Sequence, residues 1–263
     1  MSSKANKFLD LGTRVLSAIV MIAISVTAFW LGGYWAIGFI GAGALVLLWE
    51  FHKMLRQEEV RGKIDLAIMG GSAVVSIYAT FTFGWVYGAA ALIVGAAALY
   101  KSDHENWFWL SSGLLYIGAS MTAMLMIFLS PEHGLFDVFW VVSIVALTDI
   151  GGYFAGRIIG GPKLWPAVSP KKTWAGTLGG WCLAIIAGVL LGWFGPEPVM
   201  RSLVISFVIA VASQLGDLLE SWLKRQKDVK DSSDIIPGHG GLLDRLDGVM
   251  AAALVFAFIQ GLS

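Results

Sequence analysis

Nine apolar stretches fill most of this chain, at about 14–31, 34–49, 64–83, 85–100, 107–129, 136–156, 174–194, 200–222 and 246–262. Each is close to the roughly 20 residues that a helix needs to cross the hydrocarbon core of a bilayer. In that medium a segment must satisfy its own backbone hydrogen bonds, which leaves helices as the spanning element. The sequence therefore predicts an all-α, polytopic integral membrane protein of about nine transmembrane helices. At 57% hydrophobic and 14% charged residues, with a mean hydropathy of +0.75, the composition excludes an ordinary soluble domain. No small-residue cleavage site follows the first stretch before the Trp30–Trp35 region, so it reads as a span and not a cleavable leader. The one cysteine, Cys182, falls inside a span and reads as a small apolar residue.

Charge distribution says more than the net charge of zero. With nine spans, every basic residue except Arg201 falls at the N-terminus or in the alternate loops 50–63, 101–106, 157–173 and 223–245. The positive-inside rule then puts the N-terminus and these loops in the cytoplasm and the C-terminus outside. The expected location is the plasma or inner membrane, with polar chemistry facing the cytoplasm. Nucleic acid is not an expected partner.

Polar chemistry is confined to the second half. Residues 1–130 read as packing helices rich in small residues, with Trp30, Trp35, Trp85, Trp107 and Trp109 as interfacial anchors. Residues 131–263 carry four polar constellations. Asp149 begins the run DIGGYFAGR, about 12 Å inward from Arg157 along a helix. A carboxylate at that depth needs a partner or a watered cavity, whereas Gly152 and Gly156 have ordinary helix-packing spacing. Ser169-Pro-Lys-Lys-Thr173 stands before a span, where Lys171 and Lys172 suit a phosphate. A basic flank with Ser169 or Thr173 as N-cap explains it equally well. Asp217, Glu220, Ser221 and Lys224 form one stripe at i, i+3, i+4 and i+7. Its carboxylates could take a hard cation, or Glu220 could pair with Lys224. Finally, PGHGGLLDRLD sets a glycine-rich turn before Asp244 and Asp247, which share a helical face beside Arg245. Oxygen donors predominate and no zinc set is present in the sequence, so magnesium is the natural metal.

Together Ser221, Lys224-Arg225, Lys230-Asp231, His239-Gly240-Gly241 and Asp244-Arg245-Leu246-Asp247 resemble the signature of the phosphatidate cytidylyltransferase (CDP-diacylglycerol synthase) family. The DIGGYFAGR and SPKKTWAG segments are similar to family motifs too, except that Ala175 stands where the family usually has Glu. The resemblance implies a nucleotidyltransferase that converts CTP and phosphatidic acid to CDP-diacylglycerol and pyrophosphate in phospholipid biosynthesis. It also implies Mg2+, with room for a second cation, and a homodimer. Under it the reaction centre comprises Asp217, Ser221, Lys224, Arg225, His239, Asp244, Arg245 and Asp247, of which Asp217, Asp244 and Asp247 hold metal. Asp149, Ser169, Lys171, Lys172, Thr173, Glu220, Lys230, Asp231, Gly240 and Gly241 bind the substrates. Two other readings stay open: a CTP-dependent kinase of a polyprenol or other lipid alcohol, and an ion-coupled transporter using the intramembrane carboxylates.

Overall fold

The structure, a computed structural model, describes residues 2–55 and 60–261, with side chains over 12–55 and 62–261. Arg56 and the side chains of Lys4, Lys7 and Arg61, used above in the charge distribution, lie outside the described residues. The elements run α1 (Ser2–Leu31), α2 (Gly33–Leu55), α3 (Val60–Phe83), α4 (Trp85–Ser102), α5 (Trp107–Phe128), α6 (Gly134–Ile158), β1 (Lys163–Trp165), β2 (Ser169–Thr173), α7 (Trp174–Phe194), α8 (Val199–Gln226) and α9 (Leu243–Gly261). Among the described residues, α1 to α8 each contain a stretch long and apolar enough to cross a membrane. The ninth expected span corresponds to α9, which opens on Asp244, Arg245 and Asp247 and stands apart from that group on charge.

The chain divides into two compact units. The first comprises residues 1–125 with 229–245; the second comprises 126–228 with 246–263. In the first, α2 buries Ala36, Ile40, Ala44, Leu47 and Leu48. Small residues let neighbouring helices close up: a side chain at Gly88 would strike Thr80, and one at Gly113 would strike the Phe51 ring. By contrast α1 exposes Leu16, Ile19, Ile22 and Trp30, a surface suited to lipid.

The second unit is centred on Trp140, fully buried in α6. Its indole Nε1 donates to Ser206 Oγ of α8 at 2.9 Å, and its ring meets Phe256 of α9 edge-on at 5.6 Å. A buried indole N–H needs such a partner. Helices α6 and α7 touch almost backbone to backbone: a Cβ on Gly151 would lie 2.8 Å from Gly179 O, and one on Gly176 would lie 2.7 Å from Gly152 O. Gly152 and Gly156, whose spacing was read from the sequence, also face Gly176 of α7: a Cβ on Gly152 would lie 3.4 Å from Gly176 O, and one on Gly156 3.5 Å from Gly176 Cα. Cys182 lies exposed on α7.

A hairpin absent from the sequence reading joins α6 to α7. Strands β1 and β2 pair antiparallel, with Lys163 opposite Thr173 and Trp165 opposite Ser169. Thr173 then turns the strand into α7, its hydroxyl accepting from Gly176 N at 3.1 Å as an N-cap.

Candidate active site

Within the second unit, α6, the hairpin, α7 and α8 enclose a cavity of about 400 Å3. Asp149, Tyr153, Arg157, Lys171, Lys172 and Asp217 are among its lining residues. Three of the four polar constellations thus contribute to one chamber. Asp149 sits on the exposed face of α6 and lines this chamber, as its depth required. Arg157 Nη1 donates to Tyr153 Oη at 2.5 Å, one helical turn back.

The α8 stripe separates into two parts. Lys224 Nζ pairs with Glu220 Oε2 at 2.7 Å, with both side chains nearly buried. Asp217 turns instead to the hairpin, where Lys172 Nζ pairs with its Oδ2. Ser221 Oγ donates to Asp217 Oδ1 at 3.3 Å, and Arg225 lies exposed at the helix end. The packing of α8 on α9 is close: a Cβ on Gly216 would lie 2.5 Å from Asp247 O. Asp247 is desolvated by its surroundings first of all, with Asp217 and Asp149 as like-charged neighbours and Lys224 as an opposite one, and its Oδ1 accepts from Gly248 N at 2.7 Å. Three carboxylates and two ammonium groups act on one neighbourhood.

The glycine-rich loop belongs to the first unit and is held by different means. Gly240 takes φ +82° as Ile236 and Gly240 form a β-bridge. Asp244 Oδ2 accepts from Gly241 N at 2.8 Å, Ser232 N at 3.0 Å and Ser232 Oγ at 3.1 Å. Arg245 Nε donates to His239 O at 3.0 Å. Ser17 of α1 donates to Pro237 O at 2.9 Å and lies 3.2 Å from His239 Nδ1. Lys230 and Asp231 line a separate, more open cavity with Lys53. Ser169 is half-buried in β2, opposite Trp165.

Glu50 was missed by sequence reasoning. It is fully buried near the end of α2, and its Oε1 accepts from Leu242 N at 2.9 Å and from Ser233 Oγ. Its Oε2 accepts from Leu243 N at 2.6 Å. The expected span ended at 49, which put Glu50 in a loop. An acid in the apolar run LVLLWEF was the available signal.

Among the described residues, no three His, Cys, Asp or Glu side chains gather as a ready-made metal cage. Mg2+ does not require one, because it commonly binds one or two carboxylates and completes its shell with waters and substrate phosphates. Asp217 and Asp247 fit that pattern, having like charges close enough to repel. Asp244 has one oxygen committed to the loop.

A model of the cytidylyltransferase family matches residues 12–262, and the chain belongs to that family. A phosphatidate cytidylyltransferase of Brucella suis biovar 1 (strain 1330) is 34% identical, over 95% of this chain and 93% of that protein. Those of Pseudomonas aeruginosa and Haemophilus influenzae are 31% and 30% identical, over 93% of this chain and 94% and 96% of theirs. The chain is a nucleotidyltransferase by family.

Proposed function

We propose that this chain makes CDP-diacylglycerol and pyrophosphate from CTP and phosphatidate. A phosphatidate phosphate oxygen forms a bond to the α-phosphorus of CTP, and the bond from that phosphorus to the β-phosphate bridge oxygen breaks. The nucleophile is already an anion, since the second ionisation of a phosphate monoester falls near pH 6. No side chain has to remove a proton. The task is to bring two polyanions together, which is positioning and charge neutralisation.

The observation that supports this most is the single chamber lined by Lys171, Lys172, Arg157, Asp149 and Asp217. Its cations would take substrate phosphates, and the Lys172–Asp217 pair keeps that ammonium in place. Asp217 and Asp247 would hold Mg2+, with Asp244 a further ligand and room for a second cation. When bound, the metal would draw charge from the phosphates and aid departure of pyrophosphate. Ser221 would orient Asp217. Lys224 and Glu220 would hold each other and steady Asp247 from α8. His239, Gly240, Gly241, Arg245, Arg225, Lys230 and Asp231 would receive the nucleotide or the lipid headgroup. Ser169 and Thr173 would shape the hairpin that presents the lysines. Ala175 supplies no carboxylate, and the acids on α8 and α9 would serve without one. We place the loops and N-terminus on the cytoplasmic side of the plasma or inner membrane from the basic residues, with the C-terminus outside and a homodimer as the assembly.

The test is product analysis with labelled CTP in phosphatidate-containing micelles. Lipid-linked CMP and pyrophosphate should form in equal amounts, cease with chelator and return with Mg2+. Release of CDP would indicate a lipid kinase. Solute movement across liposomes without CTP consumption would indicate a transporter.

A further inference from the structure

We infer that Glu50 is a positioning residue for cytidylyl transfer, fixing the His239–Asp244 turn and the start of α9 from α2; this rests on the function proposed above. A helix leaves its first N–H groups without intrahelical partners, and buried ones must be satisfied from elsewhere. At the start of α9 one acceptor comes from far away in sequence and one from the helix's own first turn. Glu50 takes the N–H groups of Leu242 and Leu243, one on each oxygen, and also the Ser233 hydroxyl. Asp244 takes those of Gly241 and Ser232. A buried carboxylate is suited to this place, because the N-terminal end of a helix carries partial positive charge.

Gly241 carries a second, independent trace of the same device. A Cβ there would lie 2.6 Å from Glu50 Oε1 and collide with Ser232 Oγ. Its φ is not in the left-handed region, unlike that of Gly240. The second glycine of the signature pair is thus required by the close approach of Glu50 and Ser232. The turn carries His239, Asp244 and Arg245, and α9 runs on from it to Asp247. Glu50 acts on the reaction through these groups, without touching substrate.

Glu50→Gln is the decisive variant. Its amide can accept one of the two N–H groups but meets the other donor to donor. For a residue supporting metal-site groups, the expected change is about 10- to 100-fold in kcat. The Mg2+ concentration for half-maximal rate should rise. Glu50→Asp keeps the charge and should recover part of the loss. Hydrogen exchange by mass spectrometry supplies a readout independent of activity: protection should fall in peptides covering 232–246 and stay unchanged in α3 to α5. Wild-type kinetics with wild-type exchange would overturn the inference, as would a loss spread evenly over α2 to α5, which would mark a general scaffold residue. If wild-type protein turned over no CTP, the functional reading would fail, while the exchange data would still decide whether Glu50 holds the turn.

Discussion

Two acid clusters use their charge in opposite ways. In the second unit, Asp217 meets an ammonium from the hairpin, and Asp247 lies near two like charges and one lysine. In the first unit, Glu50 and Asp244 accept hydrogen bonds from amides and hydroxyls of one loop. The first arrangement leaves repulsion that a cation or substrate can relieve. The second uses carboxylates to build a turn. A buried acid in a membrane enzyme is therefore not evidence of metal binding until its partners are known.

The contrast can be broken at several points. Asp217→Asn should have the largest effect, lowering CTP turnover by on the order of 10^2- to 10^3-fold with the melting temperature in detergent nearly unchanged. A large fall in melting temperature would instead make Asp217 structural, like Glu50. Gly241→Ala should lower the melting temperature, costing about 1–3 kcal/mol by overpacking against Glu50 and Ser232. Pairing it with Glu50→Ala sharpens the point, since removing the obstructing carboxylate should restore part of the loss caused by alanine. Ser17→Ala should have the smallest effect, about 1 kcal/mol or less and about threefold or less in kcat, because the hydroxyl removed is neutral and divides its contacts between Pro237, His239 and its own helix.

The sequence made the chemistry of the second unit readable because its signals are local. Asp217, Glu220, Ser221 and Lys224 are spaced for one helical face, Thr173 precedes an apolar run as a cap should, and the Gly152/Gly156 spacing marks helix packing. Asp149 could be singled out because a charge within an apolar span needs a reason. The hairpin gave no such signal. Its strands are three and five residues long, and the second contains Pro170 and adjacent lysines instead of alternating hydrophobes. The Lys172–Asp217 pair was unreadable for the same reason, since it depends on where that hairpin places Lys172. Glu50 was beyond local reading for a different reason: its partners lie 183 to 193 residues away, and no periodicity reports such a contact.

The glycine seam between α6 and α7 limits how this chamber can change. Where main chains meet at Gly151, Gly152, Gly176 and Gly179, no side chain is present to be trimmed, and any enlargement would force the helices apart. Freedom to resize the chamber falls to lining side chains outside the seam, Tyr153, Leu164 and Gln214 among them. Variation that adapts such an enzyme to a bulkier lipid headgroup should accumulate at those three places while the seam stays small.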